Sequence, residues 1–284
     1  YSRGVFLPSL AEELAGGSRF EIAMGFSIAA VTSALVAPFI GGILDKYSPK
    51  TVILVGIGFV TGSYLLLSFC QNLIQFYLIV GLGMGLGMTC MGNLAWHRTI
   101  ISWFDHWRGR AISLGVLGAS LAGVVMPPLV TSLVEAIGWR SAFVVFAIIV
   151  PSILIPLVIY FLKNRPEEIG EVRDGHVYSE AHKTTEVEDQ TESRIWQWKE
   201  MIRFPAFWSI GLMFGAMGCV YSAVMLHLFG HLTDIGLPGS EAAYILSATA
   251  LFAALGKPVV GWMSDFFGAR VTIWMALLFQ ATSL

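Results

Sequence analysis

Three stretches of this chain, residues 51–70, 71–96 and 141–162, contain no charged residue. An α-helix needs about 20 consecutive apolar residues to cross the hydrocarbon core of a bilayer, and each stretch is long enough. A backbone in lipid must satisfy its own N–H and C=O groups, which makes these stretches helices. The alternative is a water-soluble domain, which needs far more polar surface. The chain is 56% hydrophobic and 13% charged over 284 residues, too little polarity to cover such a domain. The sequence therefore predicts an all-α integral membrane protein.

Apolar runs and turn signals divide the chain. Residues 1–10 are too short to span and form the tail of a first helix. Ser18-Arg19-Phe20-Glu21 fits a capping box, with Ser18 as N-cap and Glu21 reaching back. Further helices are expected near 21–44, 51–70, 74–104, 111–134, 139–163, 204–232 and 241–264, and another begins near Val271. The chain starts at Tyr1 rather than Met and ends inside an apolar run, so truncation at both ends is expected. Residues 164–203 hold ten of the nineteen acidic residues and read as a linker. Its end, Arg194 to Lys199, pairs two tryptophans with charges and suits a short interfacial helix. The expected domains are a membrane half at 1–163, a cytoplasmic linker at 164–203 and a second half at 204–284.

Lys and Arg set orientation. The linker face receives Lys46, Lys50, Arg108, Arg110, Lys163, Arg165 and Arg270, and the opposite face receives Arg3, Arg19 and Arg140. The linker is thus expected in the cytoplasm. A net charge of −2 gives no basic face for nucleic acid. The three cysteines lie in apolar runs and read as small buried side chains, and the six histidines lack metal-ligand spacing. No metal or cofactor is expected. Gly81, Gly83, Gly85 and Gly87 fail the dinucleotide-binding pattern and instead have small-xxx-small spacing, which suits close helix packing.

Two loops repeat. Gly41-Gly42-Ile43-Leu44-Asp45-Lys46 and Gly261-Trp262-Met263-Ser264-Asp265 both place Asp four residues after Gly, six helices apart. A duplicated transporter half would show such a repeat. The loop resembles the signature of the major facilitator superfamily, Gly-x-x-x-Asp-Arg/Lys-x-Gly-x-Arg/Lys. Lys46 and Lys50 match its basic positions, Ser48 stands for Gly, and Phe266 replaces a base in the second copy, which keeps Gly268 and Arg270. The resemblance implies two six-helix halves, here truncated to about eight complete or partial spans and the start of a ninth. It also implies a gate formed by Gly41, Asp45, Lys46, Lys50, Gly261, Asp265 and Arg270. Gly41 and Gly261 would let helices approach, and the carboxylates would hold the halves closed by meeting a helix N-terminus or a base. The other reading of these loops is purely topogenic.

A narrower resemblance lies in residues 1–8, in the 102–111 loop, in Pro127-Pro128 and in Gly138-Trp139-Arg140. These are similar to oxalate/formate antiporters and monocarboxylate transporters. Lys257-Pro258 matches the basic-Pro pair in the eighth helix of monocarboxylate transporters, where an Arg is linked to substrate; Ala253 stands where that family has Asp. Lys257 then contacts a substrate carboxylate, unless it snorkels to the surface or pairs with a gate Asp. Arg98, beside His97, is a weaker candidate that also has the option of snorkelling. Asn93, Tyr221, Tyr64, His227 and Tyr244 are further candidates to line the path.

The expected function is secondary active transport of a small organic anion, by antiport or proton symport, in a monomer in the cell membrane. A transporter-like sensor that binds without moving its ligand is the alternative, although the linker has no room for a signalling domain. A membrane enzyme finds no support, because paired intramembrane Asp and His-x-x-His are missing from the sequence. Single cysteines introduced into the full-length chain at 46, 108, 180 and 267 should all react with an impermeant reagent from the cytoplasmic face only. Labelling of residue 180 from the other face would overturn this topology.

Overall fold

Gly138 decides how often the chain crosses the bilayer. The helix Arg108–Phe161 runs for 54 residues, roughly 80 Å at 1.5 Å per residue and more than twice the core thickness of about 30 Å. Within it Gly138 has φ 76° and ψ 161°, a backbone that a Cβ would strain. It divides the run into two arms, α5 (108–137) and α6 (139–161). The computed structural model describes residues 3–104, 108–171, 200 and 203–282. Among these, the other helices are α1 (Arg3–Leu14), α2 (Arg19–Lys46), α3 (Pro49–Ser68), α4 (Leu73–Trp103), α7 (Pro205–Asp234), α8 (Gly239–Phe267) and α9 (Ala269–Thr282). The six stretches Arg19–Lys46, Pro49–Ser68, Leu73–Trp103, Leu114–Phe161, Pro205–Asp234 and Gly239–Val260 are long and apolar enough to span, and Leu114–Phe161, broken at Gly138, has the length for two crossings. With the partial α1 and α9, this is the expected all-α architecture. The interfacial helix expected at 194–199 lies outside the described residues.

Successive crossings put the α2–α3, α4–α5, α6–α7 and α8–α9 connections on one face, here the linker face. The opposite face carries the other turns. The α1–α2 turn is fastened by backbone bonds: Gly17 N donates to Ala11 O at 2.8 Å and Ser18 N to Ala15 O at 2.9 Å. Ser18 occupies the N-cap position of α2, but its side chain makes no capping bond. The expected capping box is therefore not formed; the turn holds itself without it.

Lipid supplies little drive for helix association, so close packing must supply it. The four glycines of α4 face two neighbours. A Cβ on Gly81 would lie 2.6 Å from Ile28 Cγ2, and one on Gly85 3.0 Å from Ala29 O, both on α2. A Cβ on Gly87 would lie 2.7 Å from Val60 Cγ2 and 3.0 Å from Gly56 O, and one on Gly83 would collide with Ser63 Oγ, all on α3. Thus α4 is wedged between α2 and α3. It is also discontinuous: Tyr77–Met84 is π-helical, and Gly92 is extended (φ −81°, ψ −158°) before the helix resumes at Asn93.

An aromatic stack joins α1, α3 and α6. Phe6 lies on Phe143 with ring centroids 4.5 Å apart, and Tyr64 is 5.9 Å from Phe143 on its own side. Two seams join the halves. α1 meets α7 where a Cβ on Gly4 would be 2.9 Å from Leu226 O, and α8 meets α5 where a Cβ on Gly239 would be 2.7 Å from Glu135 Oε1. Gly41 corrects an expectation. A Cβ there meets nothing within 4 Å, so among the described residues Gly41 permits no close helix approach. In the full-length chain Gly87→Leu should lower the thermal midpoint in detergent, corresponding to about 1–3 kcal/mol of overpacking. Gly41→Ala should leave it within about 0.5 kcal/mol of the parent. Equal effects would contradict the packing described.

Candidate functional site

The first signature loop builds a fastening on the linker face. Ser48, which stands where the signature has Gly, starts α3: its Oγ accepts from Thr51 N at 3.3 Å. Lys50 reaches α6, donating from Nζ to Ile159 O at 2.7 Å and from its backbone N to Asn164 Oδ1 at 3.1 Å. A cation suits the carbonyls ending a helix. The end of α4 joins them through Ser102 Oγ to Asn164 O at 2.7 Å and Trp103 Nε1 to Lys163 O at 3.0 Å.

Asp45, at the end of α2, pairs with Arg98 of α4 at 2.7 Å. The pair borders a cleft of about 610 Å³ lined also by Lys46, Asn164, Arg165 and Glu168. This corrects two expectations. Arg98 is held by a carboxylate near the surface, away from any mid-membrane anion position. The partner of Asp45 belongs to the same half, so this contact does not bridge the halves. In the second loop, Gly261 and Asp265 lie on α8 and Arg270 on α9; their side chains lie outside those the structure describes.

On the opposite face one ion pair does bridge the halves. Arg19, at the start of α2, donates through both terminal nitrogens to the carboxylate of Asp234, at the end of α7, with Nη2 to Oδ1 at 2.7 Å. A second cluster ties α1, α3 and α6. Glu13 accepts from Arg140 and from the indole of Trp139, the latter at 2.6 Å, while Arg140 Nη2 donates to Cys70 O at 2.7 Å. Sequence reasoning placed Arg19 and Arg140 on this face but identified neither carboxylate partner, because pairing at a separation of 215 or 127 residues leaves no local signal.

Two cations lie deeper. Lys257, on α8, donates from Nζ to Val116 O at 2.8 Å and Ser120 Oγ at 2.6 Å, both on α5. The other is Arg3, which the sequence places in the tail of a first helix and counts with the bases of the opposite face. The helix is as expected, but the depth is not: α1 runs from Arg3 to Leu14, about 16 Å of rise, which sets Arg3 near mid-membrane rather than at that face. Its guanidinium carbon lies 5.7 Å from the centroid of the Phe26 ring. It lines two adjoining pockets of about 90 and 80 Å³ between α1, α2 and α4. The sequence signal was present, a base within an apolar segment, but the brief run before it hid its depth.

The remaining candidates are dispersed. Asn93 follows the break in α4, and its Oδ1 accepts from Trp96 Nε1 at 3.0 Å. Tyr221, Tyr244 and His227 are exposed on α7 and α8, while Tyr64 lines the Arg3 pocket. Cys70 and Cys90 are buried as expected, but Cys219 is exposed. Among the described residues no group of His, Cys, Asp and Glu is arranged to hold a metal.

Comparison with known proteins agrees with this architecture. The family model of the Major Facilitator Superfamily matches residues 1–284. The chain is 24% identical to the uncharacterized MFS-type transporter YcxA of Bacillus subtilis, covering 91% of this chain and 59% of that protein. It is 25% identical to a probable L-galactonate transporter of Escherichia coli, covering 91% of this chain and 56% of the relative. It is also 25% identical to monocarboxylate transporter 13 of Bos taurus, covering 84% and 51%. The chain thus spans between half and three-fifths of these relatives' lengths. The helices among the described residues follow the expected order, and with a family match along its whole length the chain belongs to the Major Facilitator Superfamily.

Proposed function

We propose that the full-length protein is a secondary active transporter that moves a small organic anion, a mono- or dicarboxylate, across the cell membrane by alternating access. The observation that carries this reading is Lys257. Among the described residues its ammonium meets only neutral acceptors, Val116 O and Ser120 Oγ. A charge inside the membrane costs about 3 kcal/mol or more. Neutral acceptors reduce that cost but leave a net positive charge, which a carboxylate would neutralise. Lys257 also sits on the α5–α8 seam, where relative motion of the halves would change its surroundings. The similar proteins named for monocarboxylates and for galactonate carry substrates with a carboxylate, which supports the same ligand class.

In this reading Lys257 contacts the carboxylate from the C-terminal half, and Asn93 and Tyr221 line the path. The two signature loops act on the linker face, taken as cytoplasmic: Asp45, Lys46 and Lys50 from the first, Gly261, Asp265 and Arg270 from the second. The monomer is the working unit. The cycle runs as antiport or proton symport; Ala253 supplies no acid one turn before Lys257, so a proton would have to travel by another group.

Lys257→Gln should raise KM for carboxylate uptake into proteoliposomes at least about tenfold, the scale of a lost charged hydrogen bond. Lys257→Arg should retain part of the affinity. Wild-type uptake by Lys257→Gln would leave the lysine a seam residue only. The Arg19–Asp234 pair closes the opposite face in this cycle. Asp234→Asn should therefore speed modification of a cysteine placed at Ala30, entered from that face, by up to about fivefold, matching an exposed pair worth up to about 1 kcal/mol. An unchanged rate would reduce the pair to a surface contact.

A further inference from the structure

We infer that the pocket headed by Arg3 is a carboxylate subsite that selects a flat, aromatic acid over a polyhydroxylated one. The inference rests on the organic-anion reading above and adds the shape and polarity of the anion. Arg3 supplies a fixed positive charge near mid-membrane, and among the described residues no carboxylate pairs with it. A guanidinium takes a carboxylate through two parallel N–H bonds. The rest of the wall is aromatic: Phe6, Phe26, Tyr64, Phe76 and Phe143 line the same cavity.

These rings already use the edge-to-face and stacked contacts that a further ring would extend. Phe26 meets Phe76 at 6.0 Å with planes 89° apart, and Phe6 stacks on Phe143 at 4.5 Å. The two lobes, about 90 and 80 Å³, share Arg3, Phe26, Val80, Met84 and Met88. An apolar cavity of about 150 Å³ accommodates benzene, so the joined lobes suit one aromatic ring with its carboxylate on Arg3.

Among the described residues polar lining is scarce. Apart from Arg3, the polar side chains of the two lobes are Tyr64 and Ser33, and Ser33 Oγ already donates to Gly85 O at 3.0 Å. A sugar acid brings several hydroxyls, and each one buried without a partner loses roughly tenfold in affinity. An aromatic ring has no such groups to strand, so the pocket discriminates chiefly by what it fails to hydrogen-bond.

The test uses the full-length protein in proteoliposomes with labelled benzoate, lactate and galactonate. Benzoate uptake should saturate, compete with galactonate at a concentration at least tenfold lower, and resist benzamide, which has the ring without the charge. Arg3→Gln should raise the KM for benzoate at least tenfold, with Arg3→Lys between it and wild type. Phe26→Leu keeps the charge and should narrow the preference for benzoate over lactate. If Arg3→Gln does not fold, the wild-type competition panel and Phe26→Leu decide. Galactonate or lactate taken up as well as benzoate, or an unchanged KM in Arg3→Gln, overturns the aromatic subsite and leaves the organic-anion reading standing. Uptake of none of the three acids overturns both.

Discussion

The close approach of α4 to α2 and α3 is the contact on which the N-terminal half depends. In lipid, apolar side chains gain little by leaving the solvent, so stability comes from surfaces that fit. The glycine rows of α4 produce that fit on two sides at once. One row lets the backbone reach Ala29 on α2, the other lets it reach Gly56 on α3. The wedge fixes where Met84 and Met88 stand opposite Arg3, and it carries the lower part of α4 to where Arg98 meets Asp45. The same glycines loosen the helix. A π-helical turn and an extended Gly92 interrupt α4, the kind of break that membrane transporters place beside their binding sites.

Depth sorts the charges. At the two faces three arginines have acids: Arg19 with Asp234, Arg140 with Glu13, Arg98 with Asp45. Inside, Lys257 and Arg3 have neutral or aromatic neighbours instead. The distinction matters energetically. A surface cation is hydrated and gains little from a partner, whereas a cation in low dielectric strongly favours any anion that reaches it.

Much of this was legible in the sequence, for identifiable reasons. Uncharged runs fixed the helices because lipid allows few alternatives, and glycine spacing revealed helix contacts because i and i+4 share a face. The two signature loops were visible because they repeat. What the sequence hid was pairing between distant helices. Nothing near Arg19 points to Asp234, and Lys257 alone does not reveal Ser120. Local reasoning also misjudged three residues. Ser18 has the right type and place for a cap, yet backbone bonds already close its turn. Gly41 looks like a packing glycine, but among the described residues nothing lies within 4 Å of a Cβ placed there. Arg3 was counted with the bases of one face because little sequence precedes it, while the length of α1 beyond it places it deep.

The locations and strengths of the interhalf contacts fit a cycle in which the faces open in turn. A transporter must keep its two conformations within a few kcal/mol, or one would trap it. The Arg19–Asp234 pair meets that requirement because it is wet: its side chains are 34% and 55% exposed. Exposed pairs contribute about 0.2–1 kcal/mol, enough to bias an equilibrium and too little to lock it. The Asp45–Arg98 pair is similarly exposed, at 63% and 52%, but lies within one half and so moves with it. A rigid half needs several such bonds acting together, and the linker-face network of Lys50, Asn164, Ser102 and Trp103 supplies them. Several bonds acting together inside a half, with an exposed ion pair rather than a strong one across the outer face, fit rigid bodies that rock about a site between them.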